Sequence, residues 1–322
     1  MPAGSPCTRP SCLLVLAICF APAAGRADEP LFGYVFATDL LPQSSWEVAQ
    51  WLTWREGKTT GKYSVVEGSS EFEYGFNDNL QIAGYLNYAW AEAQNDNVID
   101  HTTLLPAAFA SSAVGPHEYF RQTKLTGVSG EVIYRVLSPY LDPLGLAFYF
   151  KPGVGSGLRE LNSRLILQKN FLDDRLVFAA NLVAVQQTRF LRANSAAPPG
   201  SDRARDHWED GSAIQFGFGT SYRFISNWSA ALEFVNEREW TGLSPFSSRR
   251  RTNDAYYFGP SVHYADEHFF GTLTFLDQLP WASDFANPEP NFVVGGRNYS
   301  RNFERFRVRL KFGYYPGGTP DA

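Results

Sequence analysis

Cysteine is nearly absent from this sequence, and so are long apolar runs. The three cysteines of the 322-residue chain, Cys7, Cys12 and Cys19, all lie within its first 27 residues. The rest of the chain therefore has no disulfide framework, no thiol nucleophile and no thiolate metal site. No stretch after residue 27 stays apolar for 18 residues, as a transmembrane helix requires. These absences exclude a disulfide-stabilised domain and a helical membrane protein.

The first 27 residues have the three-part layout of a secretory signal peptide. Arg9 precedes an apolar run from Cys12 to Ala21, and Gly25 and Ala27 stand at positions −3 and −1 of a cleavage after Ala27. The apolar run is too short for a membrane anchor, which needs about twenty residues. We therefore predict a cleaved signal peptide over residues 1–27 and export through the inner membrane.

Positive charge is also scarce. The chain carries 28 basic and 33 acidic residues, a net charge of −5. Loss of the predicted leader, which contains Arg9 and Arg26 but no acid, makes the balance more negative. Nucleic-acid-binding proteins usually carry a basic patch or stripe, so nucleic acid is not an expected partner.

Aromatic residues, in contrast, reach 16%, although the mean hydropathy is slightly negative. Transmembrane barrels combine these properties, because apolar side chains facing lipid alternate with polar side chains facing the lumen. The alternation begins at Trp46, which shares one face with Val48 and Trp54. Glu47 and Arg55 share the opposite face. Counting the runs that follow this period predicts twelve strands.

The connections between these runs alternate in length. The short ones are Asn77–Asn79, Ser138–Pro143, Asp173–Asp174, Ser226–Asn227 and Asp266–Glu267. The long ones are Ala91–Glu118, Leu191–Gly211, Gly242–Thr252 and Gln278–Asn302, and two others, Glu56–Lys62 and Pro152–Gly157, are of modest length. Outer-membrane barrels have short periplasmic turns and longer outer loops. An even strand number places both ends of the barrel on the short-turn side.

We therefore predict an all-β chain folded as a single antiparallel transmembrane β-barrel of about 12 strands over residues 46–315. Residues 28–45 are expected to form an N-terminal extended segment, and residues 316–322 a C-terminal tail. A soluble β-sandwich is the alternative fold. It would not require such regular turns or so many aromatic side chains on one face.

Three stretches also carry a family resemblance. They are Thr38-Asp-Leu-Leu-Pro42 with the following Trp46-Glu47, then Glu71-Phe-Glu-Tyr-Gly-Phe-Asn-Asp-Asn-Leu-Gln81, and Leu165-Ile-Leu-Gln-Lys-Asn-Phe-Leu-Asp-Asp-Arg-Leu176. Together they resemble a family of uncharacterised Gram-negative outer-membrane β-barrel proteins, a domain of unknown function. The resemblance implies a barrel fold in the cell outer membrane. It implies no reaction and no catalytic residue.

Charged side chains on the predicted lumen face are the candidate functional residues. They are Arg305, Arg307, Arg309 and Lys311 on the last strand, Glu67, Glu71 and Glu73 on the second, and Glu233 and Glu237 on the ninth. Facing basic and acidic walls set an electric field across a lumen, and pores use such walls to select solutes. The alternative is that these charges pair with each other and fill a blocked interior. Twelve strands do not decide between the two.

Enzymatic function has weak support in the sequence. A barrel lipid hydrolase would need a Ser–His pair with an orienting Asn or Asp. The histidines are scattered, at His101, His117, His207, His263 and His268, and neither Gly-x-Ser-x-Gly nor His-Glu-x-x-His occurs. The cluster Asp206-His207-x-Glu209-Asp210 is more simply a solvated loop than a metal site. We assign no catalytic residue, metal or cofactor.

The leading hypothesis is a porin-like channel, or a passive binding or transport protein for small solutes. A non-conducting surface or interaction barrel is the second, and an outer-membrane lipid hydrolase the third. Expected partners are outer-membrane lipid, lipopolysaccharide and the barrel-assembly machinery. Arg249, Arg250 and Arg251 lie in an outer loop, where guanidinium groups match phosphate geometry. The long loops are also long enough to fold inward as a plug.

Overall fold

The computed structural model describes residues 30–58, 61–95, 109, 119–193, 198–246, 250–283 and 292–316. The predicted signal peptide and nearly all of the C-terminal tail lie outside these ranges, so both stay predictions. Among the described residues, no helix has the length and apolar character needed to cross a membrane.

Twelve antiparallel strands close into a barrel, which confirms the predicted fold and strand number. Each strand pairs with its sequence neighbours, and the last strand closes the ring by pairing with the first. The barrel strands are β1 (Trp46–Glu56), β2 (Lys62–Asn77), β3 (Leu80–Gln94), β4 (Phe120–Leu137), β5 (Gly145–Gly155), β6 (Leu158–Phe171), β7 (Leu176–Leu191), β8 (His207–Ile225), β9 (Trp228–Thr241), β10 (Arg251–Ala265), β11 (Phe269–Leu279) and β14 (Phe306–Tyr314). A small hairpin, β12 (Phe292–Val294) with β13 (Arg297–Tyr299), lies in the connection between β11 and β14.

The two faces of the barrel differ as the period of two predicts. On β3, Ile82 and Leu86 are 42% and 46% exposed on the outer face, whereas the intervening Tyr85 is 4% exposed. Glu233 of β9 and Thr272 of β11 are also fully buried inside. An apolar outer face around a closed strand ladder suits a bilayer, because closure leaves no backbone edge without hydrogen bonds.

The short connections all lie at one end of the barrel, which we call the short-turn end. The connection between β6 and β7 has three consecutive residues with a left-handed backbone, since Leu172, Asp173 and Asp174 have φ of 56°, 54° and 59°. Asp tolerates this left-handed conformation better than most residues. β1 begins and β14 ends at the same end, where Val48 pairs with Tyr314.

Aromatic pairs mark both ends of the outer face. Near the short-turn end, the ring centroids of Trp228 and Tyr264 are 5.0 Å apart, and those of Phe269 and Tyr314 are 4.9 Å apart. Near the opposite end, Trp54 meets Phe306 edge-on at 5.4 Å. Such rings favour the boundary between the hydrocarbon core and the headgroups.

Candidate functional site

The interior of the barrel is occupied by the chain's own N-terminal region. Residues 30–42, here called the plug segment, lie inside the strand ring rather than approaching it from outside. The carboxylate of Glu233 accepts hydrogen bonds from the backbone N–H groups of Gly33, Tyr34 and Val35, at 2.7, 2.7 and 3.0 Å. A single carboxylate side chain thus satisfies three consecutive backbone donors inside the barrel, which would otherwise be costly to bury.

Amide side chains on other strands continue this pattern along the plug segment. Asn181 bonds both the N–H and the carbonyl of Phe36, at 2.7 and 2.9 Å. Gln168 accepts from the N–H of Thr38 at 2.6 Å. Gln81 accepts from the N–H of Leu41 at 2.7 Å. The sequence stretches that carry the family resemblance therefore meet inside the barrel, because Thr38, Gln81 and Gln168 belong to them.

Apolar contacts also hold the plug segment inside the barrel. Phe32 packs with Val177 and Ala179 of β7 and with Ala231 of β9, which are all small side chains. A side chain at Gly219 would overlap Phe32, since an added Cβ would lie 2.7 Å from its Cε1 atom. Small interior residues thus make room for the plug.

Both ends of the plug segment have contacts toward the short-turn end. Its Ser44 end is tied to the β2–β3 turn, because the N–H of Ser44 donates to the carbonyl of Gly75 at 2.8 Å. At its other end, the carbonyl of Pro30 accepts a hydrogen bond from the Thr272 hydroxyl at 2.5 Å. Between these points it reaches Arg309 of β14, whose guanidinium donates to the carbonyl of Gly33 at 3.0 Å. The segment therefore fills the short-turn half of the lumen.

A second segment enters the lumen from the long-loop end. Residues 300–305, here called the inward loop, follow β13 and include Glu304. Its carbonyl accepts from the Tyr257 hydroxyl at 2.8 Å, and its carboxylate pairs with Arg55 at 2.8 Å and with Arg307. Burial alone would raise the pKa of Glu304, but the two guanidinium groups lower it to about 2. The inward loop is thus held by a charge that persists at neutral pH.

A cavity of about 310 Å³ remains in the lumen beside Tyr34 and Phe36 of the plug segment. We call it the chamber. Its cationic lining consists of Arg55, Lys151, Arg164, Arg307 and Arg309, and its acidic lining of Glu67, Glu160 and Glu237. Aromatic side chains, among them Tyr34, Phe36 and Trp51, and amide side chains complete the wall. The wall of the chamber is therefore part polar and part apolar, and it carries more positive than negative side chains.

The predicted lumen charges lie in four different places. Glu67, Glu237, Arg307 and Arg309 line the chamber. Glu233 instead holds the plug segment, while Arg305 precedes β14 and places its guanidinium 4.5 Å from the ring centre of Tyr299. Glu71, Glu73 and Lys311 line a smaller cavity of about 50 Å³ nearer the short-turn end. Their predicted role in solute selectivity stays a prediction.

Three of the interior carboxylates form a cluster. Glu71, Glu73 and Glu131 each place an oxygen within 4.8 Å of the other two, a spacing that can hold a cation. Protein groups already contact two of them. Lys151 lies 3.6 Å from Glu131, and Gln81 donates to Glu73 at 3.1 Å. The expectation of no metal stays untested.

Sequence reasoning missed Lys151, Glu160 and Arg164 as chamber residues. Their signal was available, since Arg164 has the same strand parity as the buried Ile166 and Gln168 of β6. It was overlooked because β6 is polar on both faces near the chamber. The docking amides Asn181 and Gln168 carried no comparable signal, since an inward amide is ordinary in any barrel.

The serine and histidine with the shortest sequence separation face different partners. Ser261 donates to the carboxylate of Glu233 at 3.0 Å, whereas Nδ1 of His263 lies 2.8 Å from Thr272 Oγ1. Both residues are buried beside the plug segment rather than at an outer rim. Of the other histidines considered as candidates, His101 and His117 lie outside the described residues. Arg249, from the basic triplet of the outer loop, also lies outside them.

Residues 24–315 match the model of a family of unknown function (DUF6662). The chain belongs to this family. A search of curated protein sequences finds no match for this DUF6662 member. Its fold is similar to the COG4313 outer membrane channel from Pseudomonas putida F1, with a TM-score of 0.53, 9% identity, and coverage of 86% of this chain and 97% of the other. It is also similar to the translocator domain of the autotransporter NalP from Neisseria meningitidis, with a TM-score of 0.50, 12% identity, and coverage of 85% and 90%. At such low identity these likenesses establish the outer-membrane β-barrel fold of the DUF6662 chain and nothing finer.

Proposed function

We propose that this DUF6662 protein is an outer-membrane channel for small polar solutes, and that its plug segment closes the periplasmic end of the lumen. The short-turn end is the periplasmic end in barrels of this class. A solute entering from outside would reach the chamber and stop there. Passage then requires the plug segment to withdraw.

The mode of plug attachment carries this proposal. The backbone N–H groups of Gly33 to Val35, Phe36, Thr38 and Leu41 bond to side chains rather than to the backbone of a barrel strand. The strand ladder closes independently, through β14 and its neighbours. Withdrawal of the plug therefore breaks no barrel backbone pairing, so the plug can move while the barrel stays closed.

A reversible cross-link between the plug segment and β8 tests the proposal. An added Cβ at Gly217 would lie 3.3 Å from Cγ2 of Val35, close enough for a disulfide between cysteines at both positions. The predicted mature chain has no cysteine of its own. In planar bilayers, the oxidised V35C/G217C protein should lose its channel openings, and a reductant should restore them.

The two single-cysteine variants serve as controls, since neither can form the internal bond. Equal conductance of the oxidised and reduced double variant, with the disulfide verified by mass spectrometry, would refute plug withdrawal.

The filled lumen also favours a second candidate, a barrel that binds solutes or a partner without conducting. In that case the plug segment is a permanent part of the floor. Removal of the plug, discussed below, separates the two candidates. The hydrolase hypothesis has no specific structural support, and an esterase assay on the folded protein would test it.

A further inference from the structure

We infer that the chamber binds a small organic carboxylate through the guanidinium groups of Arg164 and Arg309. The inference names the solute class of the proposed channel and rests on that function for its role in passage. Binding itself can be measured without conduction.

The other cationic residues of the chamber have acidic neighbours, whereas Arg164 and Arg309 form no ion pair with a described carboxylate. Arg55 pairs with Glu67 at 3.0 Å, and Arg307 pairs with Glu237 at 2.6 Å. Lys151 has an acidic neighbour, Glu131, at 3.6 Å. Among the described residues, no carboxylate forms an ion pair with Arg164 or Arg309, whose hydrogen-bond partners are all uncharged.

Arg309 is held in place by the plug segment. Its Nε donates to Thr53 Oγ1 at 2.8 Å and its Nη1 to the carbonyl of Gly33 at 3.0 Å. The guanidinium carbon lies 3.9 Å from the centre of the Tyr34 ring. These contacts orient the group, yet within the described chain they leave the Nη2 donors uncommitted.

Arg164 approaches the same tyrosine from β6. Its Nη1 donates to Asn181 Oδ1 at 3.1 Å and to the carbonyl of Tyr34 at 3.4 Å. Its guanidinium carbon lies 4.0 Å from the centre of the Phe36 ring. The buried Nε has no hydrogen-bond partner among the described protein atoms. Two oriented guanidinium groups without counter-charges thus meet around Tyr34.

A carboxylate matches this arrangement. A guanidinium presents a planar fork of donors that fits two carboxylate oxygens, and such charge-assisted bonds are among the strongest in proteins. Removing a charged group from water is costly unless an opposite charge compensates it. The acidic lining, Glu67, Glu160 and Glu237, disfavours multiply charged anions. Amide side chains such as Asn162 and Gln215 can bond the hydroxyl groups of the solute.

The volume of the chamber limits the size of that solute. About 310 Å³ lies at the lower end of the range for small-molecule sites. The site therefore suits a compact carboxylate with additional hydroxyl groups, and not an extended polymer.

Calorimetric titration of the full-length mature protein in detergent tests the inference, with gluconate, glucose and inorganic phosphate as probes. Gluconate and glucose have similar size and hydroxyl content but differ in charge. Gluconate should bind saturably and glucose at least about tenfold more weakly, since one charge-assisted hydrogen bond contributes a factor of this order. Equal binding of the two sugars, or tighter binding of phosphate than of gluconate, would overturn the carboxylate assignment.

Substitutions then locate the site. R164Q and R309Q should each weaken gluconate binding by about tenfold or more, and R164K and R309K should retain part of the affinity because they keep the charge. R192Q is the matched control, since Arg192 is exposed and pairs with Asp206 at 3.4 Å. Unchanged affinity in folded R164Q and R309Q would refute the site. If they fail to fold, unchanged affinity in both lysine variants would do so, because a lysine cannot form the bidentate contact.

Conductance measurements distinguish a failure of the carboxylate-site inference from a failure of the channel proposal. A protein that conducts once the plug is removed, but binds gluconate and glucose equally, would be a channel without the carboxylate site. A protein that binds gluconate through both arginines, but never conducts, would keep the site and lose the channel function.

Discussion

Glu233 of β9 accepts the backbone N–H of Gly33 at 2.7 Å, across a sequence separation of 200 residues. The same carboxylate also accepts from Ser261 and Thr274, at 3.0 and 2.9 Å. Glu233 therefore joins the plug segment to two neighbouring strands at the middle of the lumen. Its hydrogen bonds come from backbone N–H groups and hydroxyl groups, so the plug backbone is part of what makes this buried carboxylate tolerable.

Removal of that carboxylate should release the plug segment. E233A leaves three plug N–H groups without their acceptor, and each hydrogen bond to a charged group contributes roughly 1.5–3 kcal/mol. We expect the fraction of time spent open in planar bilayers to rise by at least about tenfold. E209A, in the outer part of β8, is the control. An open fraction equal to that of the unmodified protein would show that Glu233 does not hold a movable plug.

Deletion of residues 30–42 should leave a folded barrel with a larger and more frequent conductance. The barrel strands do not use this segment in their backbone pairing, so the ladder can close without it. Circular dichroism and resistance to detergent unfolding check the fold, and single-channel recording measures the conductance. A folded deletion protein without openings would favour the non-conducting binding barrel.

A methyl group at Gly219 should loosen the plug without changing any charge. The added Cβ of G219A would lie 2.7 Å from Phe32 Cε1, and overpacking of this kind costs roughly 1–3 kcal/mol. Conductance should rise in G219A and fall back in the double variant F32A/G219A, which restores the space. If the double variant conducts more than G219A alone, the steric explanation is wrong.

Plug docking should weaken as the pH rises, through Asp39. Burial raises the pKa of Asp39 in the docked plug above its ordinary value of 3.8, although hydrogen bonds from Tyr140 and Gln168 and the charge of Arg135 act in the opposite direction. A raised pKa means that the contribution of Asp39 to docking is fully present below pH 3.8 and is lost as the pH rises through the docked pKa. D39N should flatten the dependence of the open fraction between pH 4 and pH 7. Glu304, with a pKa of about 2, stays ionised in that interval. Its titration therefore does not contribute to the pH dependence of the open fraction. An identical pH profile in D39N would exclude Asp39 as the cause.

Arg307 and Arg305 should differ sharply in their effect on stability. Arg307 is 1% exposed and bonds both oxygens of Glu237 at 2.6 and 2.8 Å, in addition to Glu304. Breaking such a buried pair costs roughly 3–5 kcal/mol, because the partner charges lose their compensation. R307Q should therefore lower the free energy of unfolding in urea much more than R305Q, which removes a guanidinium stacked on Tyr299. Equal loss in the two variants would contradict this difference.

Much of the barrel could be predicted from the sequence because its determinants are local. The alternation that begins at Trp46 and the turn residues at Asp173 and Asp174 are properties of neighbouring positions. In a strand, such a pattern fixes which side chains face lipid. The even strand number and the common end for β1 and β14 follow from counting these runs.

The state of the lumen was decided by the tertiary structure. The interior amides and carboxylates that dock residues 30–42 bind backbone groups, and a backbone N–H has no signature in a sequence. In the sequence, Arg305, Arg307 and Arg309 form a regular ladder of equivalent positions. In the structure, Arg305 lies outside the strand and Arg307 pairs with two carboxylates, whereas Arg309 has no carboxylate partner among the described residues. Those differences depend on what stands across the lumen, at separations of up to 276 residues. Strand periodicity is a short-range constraint, whereas the pairing of a buried charge depends on distant groups that only closure of the barrel brings within a few ångströms.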